Sequence, residues 1–114
     1  MASFDVSIEG DPGSGPAVVA VSGDLDIAAV PAVRRALAQA DIRRPELLAL
    51  ELSEVAHLDS SGLRVLLDEA GRARDRGGRL VIVAPPDGPV GRLLELTLLA
   101  DHVDVVRELG AALR

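Results

Sequence analysis

Apolar and polar positions alternate in some segments of the chain and give way to short continuous apolar runs in others. Residues 4–8 alternate apolar with polar, which predicts a strand with one wet face at the edge of a sheet. Apolar runs at residues 17–21, 47–52 and 80–84 are typical of strands that are covered on both faces. Residues 103–106 predict a further short edge strand.

Helical spacing of apolar residues appears between these runs. The segment 30–40 carries a proline in its first turn, and the segment 60–76 is followed by two glycines that favour a helix end. A turn at residues 85–89 leads into a leucine-rich helix, and residues 107–114 predict a final helical turn or two. The order β-β-α-β-α-β-α-β-α predicts one α/β domain over residues 1–114, with a largely parallel sheet and right-handed crossovers.

Composition excludes several classes of function. Phe4 is the only aromatic residue among 114, so we expect an aliphatic core and no platform for stacking nucleic-acid bases. A formal net charge of −6 also disfavours nucleic acid and anionic membranes as partners. The chain has no cysteine, no signal-peptide pattern and no apolar run of the roughly 18 residues that span a membrane. We therefore expect a cytoplasmic protein.

The junction after the 47–52 strand carries the candidate chemistry. Asp59, Ser60, Ser61 and Gly62 stand there, and each of these residue types is favoured at helix starts. A hydroxyl at a helix N-terminus is also well placed to carry a phosphate, because free amides and the helix dipole favour negative charge. The residues alone leave three interpretations of Ser60: a cap, a nucleophile or a modification site.

Spacing gives little support to catalysis or ligand binding. A nucleophile elbow requires Gly-x-Ser-x-Gly, but Leu58 occupies the first glycine position, and His102 is the only histidine after Ser60 that could act as a base. His57 and His102 lack metal-ligand spacing. The glycines around Ser14 lack the Lys-Ser/Thr pair of a phosphate-binding loop. We expect no metal, no cofactor and no enzyme activity.

Four short segments, in the right order, resemble a STAS domain of the anti-sigma-factor antagonist type. They are residues 21–26, 50–63, 77–81 and 89–97, and the resemblance covers nearly the whole chain. It implies a small, mostly parallel sheet with an antiparallel edge strand. The chain departs from the family pattern at Ala29, where a Thr commonly opens the first helix, and at Leu98, where Gly is usual.

The resemblance implies a regulatory binding protein. Such antagonists bind a serine kinase that doubles as an anti-sigma factor, and so release the sigma factor for transcription. The kinase uses ATP to phosphorylate the serine directly after the Asp, which maps to Ser60. The phosphorylated protein releases the kinase, and a separate phosphatase restores it. The alternative is a STAS scaffold or sensor subunit of a lipid-transport or stress-signalling complex, without phosphorylation.

Partner-binding roles are expected for the residues around Ser60. Three aspartates should crowd one end of the sheet, because each follows a strand's C-terminal end. Two of them, Asp26 and Asp59, either orient the hydroxyl or act as turn and cap residues. Ser61 is a reserve cap, and Gly62 either permits close approach of a partner or is tolerated in the first turn. The helical period also favours a core position for Leu63. The full partner-binding set is Asp24, Asp26, Asp59, Ser61, Gly62, Leu63 and Arg64.

Overall fold

The computed structural model describes residues 4–9, 16–42, 45–97 and 103–113. Within these ranges five strands and four helices follow one another in the predicted order. The strands are β1 (Phe4–Glu9), β2 (Ala17–Leu25), β3 (Leu47–Leu58), β4 (Arg79–Val83) and β5 (Asp104–Val106). The helices are α1 (Val30–Ile42), α2 (Ser60–Asp75), α3 (Pro89–Leu96) and α4 (Leu109–Ala112).

The strands form one sheet in the order β1-β2-β3-β4-β5. The edge strand β1 runs antiparallel to β2, and the other neighbouring pairs are parallel. This arrangement confirms the α/β fold expected from the sequence. The register pairs Val6 with Val21 and Ile8 with Val19, so the apolar residues of β1 lie on the same face as the core residues of β2.

The core is divided by the sheet into two aliphatic clusters. The larger cluster packs α1, α2 and α3 on one face and includes Val33, Leu66 and Leu94, one from each helix. The smaller cluster lies on the other face, where Ala112 of α4 joins buried strand residues such as Val81. Burial on both faces explains why the inner strands are nearly continuous apolar runs.

Two strands extend further than the apolar runs predicted. The apolar runs ended at residues 21 and 52, but β2 continues to Leu25 and pairs with β3, which continues to Leu58. Register shifts interrupt this pairing, one of them between Gly23 and Asp24, and Gly23 has a positive φ of 84°. A bulge of this kind breaks the two-residue alternation, so the period along the sequence no longer marks the strand.

Helix ends agree with the glycine signals where the structure describes them. Gly77, with a φ of 74°, follows the end of α2, and the Gly78 amide donates to the Ala73 carbonyl at 2.9 Å. This pairing across six residues is the Schellman arrangement that glycine favours. The glycines around Ser14 and the departure at Leu98 lie outside the described residues. Among the helices of the described ranges, none has the length and apolar character needed to cross a membrane.

Candidate functional site

The candidate site is built where β2 and β3 end side by side. Leu25 of β2 is paired with Leu58 of β3, so Asp26 and Asp59 leave the sheet at the same end. The Asp59 amide also donates to the Leu25 carbonyl at 3.4 Å. Asp24 is paired with His57 one step earlier in the strands. The structure therefore brings the three aspartates to one end of the sheet, as expected.

Asp59 is the N-cap of α2. Its Oδ1 atom accepts hydrogen bonds from the amides of Ser61 at 2.9 Å and Gly62 at 3.1 Å. These amides have no partner inside the helix, so the carboxylate satisfies donors that the first turn would otherwise leave free. Ser61 contributes a backbone donor to this cap, whereas the sequence interpretation gave it a capping side chain. Capping is thus a structural task of Asp59, one of the two alternatives left open for it.

Asp26 performs the matching task before α1. Its Oδ1 atom accepts from the amides of Ala28 at 3.1 Å and Ala29 at 3.3 Å. Ala29 itself occupies the position before the first helical residue, since Val33 donates to its carbonyl at 3.1 Å. Alanine offers no side-chain acceptor there, so the chain lacks the hydroxyl cap that a Thr at this position would supply.

Ser60 is the first residue of α2 and is exposed. Because the Asp59 carboxylate already binds the next two amides, the Ser60 hydroxyl is not needed as the cap. This position leaves the hydroxyl accessible from solvent at the positive end of a helix dipole.

Gly62 is buried in the first turn of α2, and packing within the protein leaves no space for a side chain at this position. A Cβ at this position would overlap the Leu25 carbonyl oxygen and would lie 2.5 Å from Cδ1 of Leu58. Neither interpretation from the sequence, close approach by a partner or simple tolerance, identified this cause. The missing side chain lets α2 start directly against the ends of β2 and β3.

The next turn of α2 combines a core contact with a charged one. Leu63 is half-buried and packs against the larger core cluster, as the helical period favoured. Arg64 has a side chain 73% exposed, and its Nε donates to Asp68 Oδ1 at 3.2 Å. Arg34 of α1 donates to the other oxygen, Asp68 Oδ2, at 2.9 Å. The hydrogen bond from Arg34, joined by the charges of both arginines, lowers the pKa of Asp68.

Sequence reasoning missed several residues of this surface. Ile27 follows Asp26 and is 75% exposed, although isoleucine is among the residues most often buried. Arg34 and Asp68 lie on different helices, so no short motif joins them. The sequence offered one signal for this surface. Ile27 is an isolated isoleucine in a turn and belongs to no apolar stripe of a helix or strand.

A second polar cluster surrounds Glu69 in the second half of α2. Glu69 is 0% exposed, and within the described residues its two carboxylate oxygens have no hydrogen-bond partner. Its Oε2 lies 3.6 Å from Arg72 Nη1, and its Oε1 lies 3.9 Å from Arg76 Nη1, which is 3.0 Å from Asp41 Oδ1. Burial, followed by the negative charge of Asp41, raises the pKa of Glu69 to about 7, although both arginines oppose this change.

The residues that could bind a metal ion are dispersed in the described part of the chain. The part of the chain that the structure describes contains no group of three His, Cys, Asp or Glu residues arranged to hold a metal ion. His57 is exposed on β3, and His102 lies outside the described residues. The arrangement around Ser60 consists of capping carboxylates and an exposed hydroxyl.

Comparison with known proteins identifies relatives over most of the chain. The family model described as "Mlab, STAS domain" matches residues 11–108. The anti-sigma-B factor antagonist of Listeria monocytogenes is 32% identical over 85 residues, which are 75% of this chain and 74% of that protein.

Solved structures extend the similarity to the fold. An anti-sigma factor antagonist from Mycobacterium paratuberculosis superposes with a TM-score of 0.84 at 29% identity, covering 97% of this chain and 92% of the other. The anti-sigma factor antagonist SpoIIAA in its unphosphorylated form gives a TM-score of 0.74 at 18% identity, covering 94% and 92%, and shares the fold.

Proposed function

The chain belongs to the STAS domain family, and on that premise we propose that it is an anti-sigma-factor antagonist that phosphorylation of Ser60 switches off. It binds a kinase-type anti-sigma factor, and this binding frees the sigma factor for transcription. The names of the Listeria and Mycobacterium relatives support the antagonist role, since both are named for this binding function rather than for a catalytic activity.

The position of Ser60 is the observation that carries the proposal. Ser60 is exposed, begins α2 and directly follows the capping Asp59. In the proposed reaction the Ser60 oxygen attacks the γ-phosphorus of ATP, the bond to the β-phosphate oxygen breaks, and ADP leaves. The hydroxyl proton passes to a base of the kinase. This chain is therefore the substrate of the kinase, and a separate phosphatase hydrolyses the phosphoserine to restore the active form.

The fold should survive this modification. A phosphate at the start of α2 lies at the positive end of the helix dipole, which stabilises negative charge there by about 0.3–1 kcal/mol. Asp59 keeps the amides of Ser61 and Gly62 satisfied whether or not Ser60 is modified. The switch therefore acts through the surface rather than through unfolding.

Electrostatic repulsion explains how the modified surface releases the kinase. Phosphorylation adds roughly −1.5 to −2 charges beside Asp24, Asp26 and Asp59, which share this end of the sheet. A loss of about 1.4 kcal/mol in binding free energy lowers affinity tenfold, so partial repulsion at one contact is sufficient.

Phosphopeptide mapping tests the proposal directly. The protein is incubated with its cognate kinase and ATP, beside the variant Ser60→Ala and the matched control Ser61→Ala. We expect phosphate on Ser60 in the wild type and in S61A, and none in S60A. Modification of another residue with Ser60 untouched would contradict the proposal. Recovery of a transport ATPase in place of a kinase, in a pull-down from the source cells, would instead support the scaffold alternative.

A further inference from the structure

Ser60, Arg64 and Asp68 follow one another at intervals of four residues along α2. Residues four apart lie about 5–6 Å from one another between Cβ atoms on a helix surface. Ser60 and Arg64 are exposed, and the Arg64 guanidinium extends toward Asp68, where its Nε makes a bond of 3.2 Å. Arg64 therefore stands between an acidic partner in the following turn and the hydroxyl in the preceding turn.

The present partner of Arg64 is held independently. Asp68 Oδ2 accepts a shorter bond, of 2.9 Å, from Arg34 of α1. The Arg34 and Asp68 side chains are only 35% and 33% exposed, whereas that of Arg64 is 73% exposed. Loss of Arg64 would leave Asp68 paired with Arg34, so Arg64 can move without leaving a carboxylate unpaired.

We propose that Arg64 is the intramolecular partner of phosphorylated Ser60, turning from Asp68 to the phosphate while Arg34 retains Asp68. This inference rests on the proposed phosphorylation of Ser60. Two physical effects favour the exchange. The phosphate carries nearly twice the charge of a carboxylate and three acceptor oxygens. An acidic group four residues before a basic one is also the favoured order in a helix, whereas Arg64 and Asp68 have the reverse order.

This exchange adds a second component to the switch. In the unmodified protein Arg64 is an exposed cation on the surface expected to face the partner. Once bound to the phosphate, that guanidinium is withdrawn from any acidic group of the kinase. Phosphorylation then removes a positive contact in the same event that adds a negative one.

A phosphorus NMR titration tests the proposal on the full chain. Phosphoserine is incorporated at position 60 during synthesis, which makes the sample independent of any kinase. The titration midpoint of the phosphate is measured in the wild type, in Arg64→Gln, in Arg64→Lys and in Arg74→Gln. Arg74 is an exposed arginine in the last turn of the same helix, so R74Q makes the same charge change away from Ser60.

We expect R64Q to raise the midpoint by about 0.3 pH unit, because the dianion loses its cation. R74Q should have the same phosphate midpoint as the wild type. R64K keeps a positive charge at position 64, so its midpoint should lie close to the wild-type value. The carboxylate carbon of Asp68 provides a second signal. At pH 7.5, where the phosphate is a dianion, phosphorylation should shift this Asp68 signal in the wild type, since Arg64 departs, and should shift it less in R64Q.

Coinciding phosphate midpoints in the wild type and R64Q would overturn the proposal. A phosphorylated protein whose Asp68 carboxylate signal at pH 7.5 stays at its unmodified position would also overturn it. These outcomes are separate from failure of the proposed function. A kinase that leaves Ser60 unmodified would contradict that function, while the titration of the synthesised phosphoprotein would still support the pairing of Arg64 with the phosphate.

Discussion

Gly62 at the start of α2 lies directly against the backbone carbonyl of Leu25 at the end of β2. A Cβ at position 62 would overlap that oxygen, which belongs to the backbone and has little freedom to move. The same carbonyl accepts the Asp59 amide at 3.4 Å. This contact therefore fixes the start of α2, and with it Ser60, relative to the ends of the two strands.

Gly62→Ala should destabilise the protein. Overpacking costs about 1–3 kcal/mol, which exceeds the gain of roughly 1 kcal/mol that alanine offers over glycine in a helix. Gly71→Ala is the matched control, because Gly71 lies in the same helix with no atom within 4 Å of its Cβ position. Urea unfolding should show G71A more stable than the wild type and G62A less stable. Equal stability of the two variants would show that the contact with Leu25 does not limit the size of the residue at position 62.

Substitution of Asp59 should separate its capping role from its charge. Asp59→Ala removes the acceptor for the Ser61 and Gly62 amides and should cost about 1 kcal/mol of the free energy of unfolding. Asp59→Asn keeps a side-chain oxygen and should remain close to the wild type, because asparagine caps helices as well as aspartate does. Thermal and urea unfolding of both variants provide the comparison. An asparagine variant as unstable as the alanine variant would rule out hydrogen-bond capping as the main role.

Glu69 should make stability depend on pH near neutrality. Its pKa is raised from the ordinary 4.5 to about 7 in the folded protein, chiefly by burial. Between these two pH values the folded state therefore holds a proton on Glu69 that the unfolded state has released. The resulting stabilisation is complete below about pH 4.5 and is lost as the pH rises to about 7, with a slope of at most ~1.4 kcal/mol per pH unit.

The variant Glu69→Gln isolates this contribution. Glutamine is close in shape and has no carboxyl proton to release, so the difference in stability between E69Q and the wild type should grow in favour of E69Q from pH 5 to pH 8. Glu95→Gln, at an exposed position of α3, serves as the control and should not change the profile. Parallel profiles for the wild type and E69Q would mean that Glu69 does not bind the proton.

Ile27 should contribute to partner binding without contributing to stability. It is 75% exposed beside Asp26, so Ile27→Ala removes few internal contacts. Burial of an isoleucine side chain in an interface is worth about 1.5–3 kcal/mol, so I27A should weaken kinase binding at least about tenfold. Ile42, 80% exposed at the far end of α1, gives the control variant Ile42→Ala. Equal binding by I27A and I42A would place Ile27 outside the interface.

The sequence predicted those features that depend on neighbouring residues. Apolar runs marked the inner strands, helical spacing marked α1 and α2, and the carboxylate at Asp59 and the glycine at Gly77 marked the two ends of α2. The resemblance singled out Ser60 as the modified residue, which stays a prediction, and the structure has Ser60 exposed at the start of α2.

Features that depend on the relative placement of elements could not be predicted in this way. The need for glycine at position 62 arises from a strand end that is distant in the sequence. Asp68 is held by Arg34 of another helix, and 34 residues separate the two. Glu69 is buried although glutamate is usually exposed. A prediction from the apolar pattern therefore places it on the surface. The bulge near Gly23 interrupts the alternation of apolar and polar residues, so this alternation does not predict where β2 ends.

Calorimetric titration of the kinase-type anti-sigma factor with this protein tests the switch at Ser60 most directly. The unmodified chain and the chain carrying phosphoserine at position 60 are compared at one ionic strength, because screening alters charge contacts. We expect phosphorylation to raise the Kd at least about tenfold while the folded stability stays unchanged. The same Kd for both forms would contradict a switch at Ser60.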